Sequence, residues 1–400
     1  MCIFSSQAAD VVADVAGFFP AGSGYVPITN PTRILDTRTS PLTDLGPNSP
    51  TLFHISCPSV TVCVTTGTMD RGVSDVVMAT FDGGATWTSP TPPVQVGSGE
   101  RLLIGGVACS TTSICVAVGF AAQRNDYYTQ RPLIARSVDG GRSWSPAAVP
   151  AGVFALDAVT CRSSGTCLAV GVSTNVHGVG VVLQSLDNGQ SWAVSSLGPG
   201  GAGYLTAVSC GSATVCYATG RTSVSPLNDF LGSAFLKTMD GGTSWTRVGA
   251  TGEYFGNSEI HVGNISCGDE AHCTATGSVF VVIGIQAAQE AYAATTNDGG
   301  TTWSSISNPP LPSNEVDGID CVSAARCYMA ALLPVGQRSQ AQVGVVWRTA
   351  IDGPWTTKIA LDVPSNPPIQ LTGDVSCPTI DVCFAAGGGS DHTGFVLRLN

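Results

Sequence analysis

The sequence is short of charge. Asp, Glu, Lys and Arg make up 11% of its 400 residues, and the balance is acidic, with a formal net charge of −11. Lysine occurs only as Lys237 and Lys358, and no basic run exists. A nucleic-acid binder needs clustered Lys and Arg to neutralise phosphates, so that class is excluded. Long apolar runs are missing as well. None reaches the roughly 18–20 residues that a membrane helix requires. The histidines, His54, His177, His261, His272 and His392, show no metal-ligand spacing. Neither a Gly-x-Ser-x-Gly elbow, a His-Glu-x-x-His pair nor a phosphate loop occurs, and Gly387-Gly388-Gly389-Ser390 opens no helix. The sequence therefore predicts no cofactor and no metal.

Cysteine, by contrast, is abundant: fifteen residues. Fourteen of them form seven pairs of one spacing, Cys57/Cys63, Cys109/Cys115, Cys161/Cys167, Cys210/Cys216, Cys267/Cys273, Cys321/Cys327 and Cys377/Cys383, leaving Cys2. The first members recur 49 to 57 residues apart, the extremes being 161 to 210 and 210 to 267. A β-like repeat of about 50 residues is a propeller blade of about four strands. The fold expected is all-β: a seven-bladed β-propeller of four-stranded antiparallel blades.

Each copy reads alike. An apolar strand ends in the first Cys, as in Ala158-Val159-Thr160-Cys161, a polar turn follows, and the second Cys opens another strand, as in Cys167-Leu168-Ala169-Val170. If the two cysteines face each other, three residues remain for the loop, a common hairpin length, and facing residues lie within disulfide reach. The alternatives are buried free thiols, which would not require one spacing seven times, and zinc, which prefers closer Cys spacing. Disulfides persist where thiols can oxidise, so the framework predicts an extracellular or cell-surface protein. Each seven-residue ring is worth roughly 2 kcal/mol in the chain-entropy model. Rings this short are expected to lock blades individually and not to tie distant segments together.

A second motif follows each pair: Thr80 to Trp87 around Asp82, Ser137 to Trp144 around Asp139, Ser185 to Trp192 around Asp187, Thr238 to Trp245 around Asp240, and Thr296 to Trp303 around Asp298. A degraded copy is Asp352-Gly353-Pro354-Trp355, and the seventh is missing. Asp-Gly-Gly between strands is a hairpin turn, because Gly supplies positive φ and the carboxylate accepts nearby N–H groups. The pattern resembles the Asp-box, or bacterial neuraminidase repeat, over roughly residues 50–400. The resemblance implies a structural turn between the third and fourth strands of each blade, away from the active face. With strands named A to D, the A–B and C–D turns share one face, and the long B–C and D–A connections share the other, where ligand contacts are expected.

Sialidases of the Asp-box type have six blades and an early Phe/Tyr-Arg-Ile-Pro motif. This chain has seven repeats, and Thr32-Arg33-Ile34-Leu35 is its nearest segment. Photosystem II assembly factors of the Asp-box type are seven-bladed, which implies an assembly or stability role as a further reading. A glycoside hydrolase needs two carboxylates about 5–10 Å apart. Loop-face acids are Asp70, Asp75, Asp126, Asp229, Glu253, Glu259, Glu290, Glu315, Asp317 and Asp391, read as solvated loop acids that nothing in the sequence pairs. The most ligand-like stretch is Arg124, Asp126, Tyr127 and Tyr128 with Arg131, followed by Glu253 and Tyr254, because Tyr beside charged groups suits sugar or peptide contact. The reading that follows is a secreted, monomeric, non-catalytic binding propeller for a glycan or protein partner, with a glycoside hydrolase as the alternative.

Residues 1–40 read as the remnant of a preceding β module or linker, and 41–400 as the propeller. Asp10 to Phe19 and Pro31-Thr32-Arg33-Ile34-Leu35-Asp36-Thr37-Arg38 resemble modules of secreted actinobacterial surface proteins, which implies part of a larger surface protein that begins upstream of Met1. Blade seven lacks its D strand. Counting back from Cys57 by the usual interval from box Trp to next first Cys predicts that Ile34–Arg38, or its neighbours, closes the ring.

Overall fold

A computed structural model describes residues 42–47, 49–69, 74–124, 126–174, 179–198, 202–221, 233–251, 259–283, 286–305, 315–334, 341–351, 353–361, 373–388 and 393–399. The chain divides after Leu42; Thr43–Asn400 is the propeller unit, and the unit before it lies outside the described residues save Leu42. The described elements are all strands, in seven sheets that are antiparallel except where Ser196–Leu197 pairs parallel with Ser244–Thr251 at the edge of blade four.

Blade two shows the plan: Glu100–Cys109, Cys115–Gln123, Asp126–Ser137 and Ser145–Ala147, in that spatial order. The innermost strand of a blade runs up to the first cysteine. Paired cysteines face each other in register, as at Cys109↔Cys115, Cys161↔Cys167, Cys210↔Cys216, Cys267↔Cys273 and Cys321↔Cys327. All seven disulfides are formed, Cys57–Cys63 and Cys377–Cys383 included, with Cα separations of 3.9–4.1 Å. Three-residue loops join them: Ser110 N–H bonds Ile114 O at 3.0 Å and Arg162 N–H bonds Thr166 O at 2.9 Å. The fourth strands of blades two, three and five are only two or three residues long, and in blade one the outer position is held by a single bridge, Val77↔Thr91.

Each bridge locks its own blade and joins no distant segments, as expected. Its second cysteine is a core residue: Cys63, Cys115, Cys167, Cys273, Cys327 and Cys383 are 0% exposed. That core spans the seams. Cys63 of blade one shares a cluster with Phe384 of blade seven, and Cys273 of blade five with Tyr217 and Phe235 of blade four. Cys327 of blade six lies in a cluster with Ala293 of blade five, and Cys383 of blade seven in one with Tyr328 and Val345 of blade six. The second strand of each blade packs on its neighbour, so its first residue is enclosed although the turn before it is exposed. These cysteines are therefore scaffold, closed to any ligand.

The strand that completes the seventh sheet is Leu42–Pro47, beside Thr393–Leu399. Ile34–Arg38 lies outside the described residues. Counting from the box Trp lands too early, because the outer strand follows that Trp: Ser145–Ala147 begins 16 residues before Cys161, and Leu42–Pro47 begins 15 before Cys57.

Each box Trp is a wedge between blades. Trp303 of blade five stacks on Phe235 of blade four, with centroids 3.9 Å apart. Trp245 is buried among Leu168, Val170 and Val182 of blade three, and Trp87 of blade one packs with Phe384 and Val396 of blade seven. Burying one such side chain is worth several kcal/mol. Backbone bonds tie the inner strands in the same way: the N–H of Cys109 bonds Ser56 Oγ at 3.0 Å, Cys267 bonds Ser209 at 3.1 Å, Cys321 bonds Ser266 at 2.9 Å, and Cys57 bonds Ser376 at 3.0 Å. At the blade six to seven seam, Asp320 replaces the serine and accepts from Cys377 N–H at 2.7 Å.

Candidate functional site

The box turns and the cysteine turns lie on one face and are bonded to each other. Gly83 N–H reaches Thr61 O at 2.9 Å, Gly140 reaches Ser113 at 2.8 Å, Asn188 reaches Gly165 at 2.8 Å, and Gly241 reaches Thr214 at 2.9 Å. Within each turn the aspartate is fully engaged. Asp82 Oδ1 accepts the Thr80 hydroxyl at 2.8 Å and Thr86 N–H at 2.9 Å, while Oδ2 accepts the Thr86 hydroxyl at 2.6 Å. Asp139, Asp187, Asp240 and Asp298 repeat the set. These bonds to the ionised form, led by the Ser or Thr hydroxyl four residues on, hold Asp82, Asp240 and Asp298 at about 2. Both oxygens of each carboxylate are thus committed to bonds within the turn, which is a structural role.

On the opposite face, the sequence-predicted stretch is a hairpin and not a loop. Cys115–Gln123 pairs with Asp126–Ser137 up to Gln123↔Asp126, so the strands themselves supply the connection. The register skips from Ala121↔Arg131 to Gln123↔Asp126, which bulges 127–130 outward. The Thr129 hydroxyl pins that bulge, accepting from Gln123 N–H at 3.1 Å and donating to Asp126 O at 2.7 Å. Tyr127 and Tyr128 sit on it. Arg124 and Asp126 are exposed. Arg131 is paired with Glu100 at 3.0 Å, and Glu100 is itself fixed by Gly97 N–H. Glu253 and Tyr254 lie outside the described residues.

A second grouping gathers at the axis. In six blades the register of the inner strand is interrupted four residues before the first cysteine: it skips Phe53, Gly105, Asp157, Thr206 and Gly263 singly, and Asp317 together with Gly318. Bulges re-aim side chains. Inner strands surround the propeller axis, and there the structure places two adjoining cavities. One, of about 290 Å³, is lined by Phe53, His54, Asn264, Asp317, Gly318, Gly373 and Asp374. The other, of about 230 Å³, shares Asn264 and Asp317 and adds Thr206, Arg221 and His261 toward the loop face.

Burial governs the chemistry of this region. It pushes the His54 imidazole down to about 4, so that ring is neutral. It pushes the Asp374 carboxyl up to about 7, aided by the charge of Asp320, which is itself raised to about 6 by burial. Asp374 also accepts Val375 N–H at 2.8 Å. Asn264 donates its side-chain N–H to Asp317 O. Asp75, read from the sequence as a solvated loop acid, is buried: its Oδ2 accepts Ile104 N–H at 2.7 Å across the blade one to two seam, and burial raises it to about 6. Asp157 likewise is enclosed, with Tyr204 donating to it, and is raised to about 6. Asp317 too is a wall of the central cavity, because the bulge turns it inward. The remaining loop acids lie at positions or on side chains outside the description, save Asp126.

No family model matches the sequence, and no curated protein matches it. Solved structures do resemble it. The structure titled "YCF48 bound to D1 peptide" aligns with a TM-score of 0.52 at 18% identity, over 91% of this chain and 98% of that one. A PL25 polysaccharide lyase, an ulvan lyase, aligns with 0.56 at 10% identity, over 90% and 98%. A Hadza microbial sialidase aligns with 0.47 at 11% identity, over 88% and 66%. The first two likenesses bear on the fold alone; the seven blades and the disulfide hairpin in each are seen in the structure itself.

Proposed function

We propose that the chain is a secreted or cell-surface binding propeller that recognises a glycan or protein partner on the face opposite the box turns. The observation that carries this reading is the contrast between the faces. The box face spends its carboxylates on its own turns, whereas the other face presents the blade-two hairpin and opens onto the polar cavity around Asn264, Asp317 and Asp374. Seven disulfides support an oxidising location. Solved propellers of this fold are described bound to a D1 peptide and to -[GlcA(1-4)Rha3S]-. Glycan and peptide arrays test the reading: specific capture of one ligand class supports it, and capture of none overturns it.

A second reading, glycoside hydrolysis, is favoured by one finding. Asp317 and Asp374 line the same cavity, and a carboxyl raised to about 7 suits a general acid. Incubation with bound glycans decides between the two. Turnover that is lost in Asp374→Asn establishes the hydrolase, and its absence for every bound glycan leaves the binding module.

A further inference from the structure

The larger axial cavity combines features that limit its occupant. One lining residue is aromatic, Phe53, set on the bulge of blade one. Facing groups are the imidazole of His54, the carboxamide of Asn264 and the carboxyls of Asp317 and Asp374. Among the described residues that line it, none is Lys or Arg. Two glycines complete the wall with no room to spare: a Cβ on Gly318 would come within 2.3 Å of Asp374 Oδ1, and one on Gly373 within 1.9 Å of Ala386 O. The space, about 290 Å³, lies just below the range of roughly 300–1,000 Å³ that holds drug-sized ligands, so it suits one small ring and not an extended chain.

From this lining we infer that the cavity is a subsite for a single neutral sugar ring of a glycan. The inference rests on the glycan branch of the proposed function. An apolar ring face can lie on Phe53, since aromatic side chains bury area while leaving polar groups free. Adjacent hydroxyls, each both donor and acceptor, match a closely spaced carboxamide, imidazole and carboxyl set, which offers both roles in return. Among the described lining residues an anionic ring finds no cation and meets two carboxyls, and burying an unpaired charge there is costly. Sialic acid, uronic acids and sulfated sugars are thereby excluded from it. The adjoining cavity, which shares Asn264 and Asp317 and holds Arg221 and His261, leads the rest of the glycan toward the loop face.

Calorimetric titration of the full chain with methyl glycosides of neutral hexoses, with sialic acid, with glucuronic acid and with a sulfated hexose tests the inference. The expected result is binding of a neutral glycoside only, weakened about tenfold by Phe53→Ala, the loss anticipated for one aromatic platform. Asn264→Ala should weaken it as well, and thermal unfolding with all disulfides intact checks that both variants fold. Preference for any anionic sugar overturns the inference, as does neutral-sugar binding that neither variant changes. If only peptides bind, this subsite is refuted while the binding-module reading stands. If nothing binds on any array, that reading fails with it.

Discussion

The guanidinium of Arg398, on the last strand of the chain, donates to the carbonyl of Gly83 in the first box turn at 3.1 Å. The bond joins blade seven to blade one, and it is one instance of a repeated device. Arg136 reaches Asn188 O at 2.7 Å, Gln184 reaches Gly241 O at 2.9 Å, and Lys237 reaches Gly299 O at 2.8 Å. In each case the residue preceding the box position on strand C bonds the next blade's turn. Two positive-φ residues per turn aim that carbonyl outward. Ring closure therefore repeats a contact found between other blades, and adds to it the strand Leu42–Pro47 that completes the seventh sheet beside Thr393–Leu399.

Arg398→Ala should cost about 1–2 kcal/mol, the value of a partly buried hydrogen bond to a charged group. Lys237→Ala, within the ring, should cost a similar amount. Urea unfolding of both variants measures this. A closure that melted separately, seen as a second transition in Arg398→Ala alone, would contradict the equivalence of the closing seam with that of Lys237.

The bridges make a chemical prediction. Fourteen of fifteen cysteines are paired, so alkylation of denatured, unreduced protein should label Cys2 alone. Replacing both Cys210 and Cys216 by Ser removes a seven-residue ring and should lower stability by about 2 kcal/mol. Intact-mass spectra showing several labels would refute the first statement, and an unchanged unfolding midpoint the second.

Acid and base limbs of stability should come from different faces. Box aspartates lowered from 3.8 to about 2 contribute stability that is present above pH 4 and lost as pH falls through about 2. Asp320 and Asp374, raised from 3.8 to about 6 and about 7, contribute oppositely. Their stabilisation is complete below pH 4 and is lost as pH rises through 6 to 7. The melting temperature should therefore peak near pH 4. Asp320→Ser, which restores the hydroxyl found at four other seams, should flatten the decline between pH 4 and 8. Parallel curves for variant and parent would remove Asp320 from the explanation.

How much of this was legible in the sequence follows from repetition. A feature present seven times, such as Cys-x5-Cys, or five times, such as the Asp-Gly/Asn-Gly turn, fixes blade number, strand ends and the face on which both turns lie. Spacing alone says nothing of what surrounds a bridge, so the place of Cys63, Cys273, Cys327 and Cys383 in the seams needed the packing of neighbouring blades. The axial cavity is the opposite case. Phe53, Asn264, Asp317 and Asp374 each come from a different blade, and the contacts among them follow from a bulge that no window of a single repeat shows. A signal did exist. Aligned on the first cysteine, the position four before it reads Phe, Gly, Asp, Thr, Gly, Asp, Gly, and the Gly or Asp at five of the seven is poor strand chemistry that marks an interruption. Asp75 escapes the sequence for a related reason: its neighbour is Ile104 of the next blade, 29 residues away.

The blade-two hairpin and the axial cavity can be separated by one substitution. Arg131 is 59% exposed and its partner Glu100 is 17% exposed, so the pair is worth at most about 1 kcal/mol. Arg131→Ala should leave the melting temperature nearly unchanged. It should also leave the affinity for a single glycoside unchanged, because Arg131 is not among the residues that line either axial cavity. A longer ligand that spans from the axis to the rim should bind more weakly, since the hairpin presents Arg124, Asp126 and Arg131 on the outer face. Equal affinity of parent and variant for every long ligand would remove Arg131 from the binding surface and confine recognition to the axis.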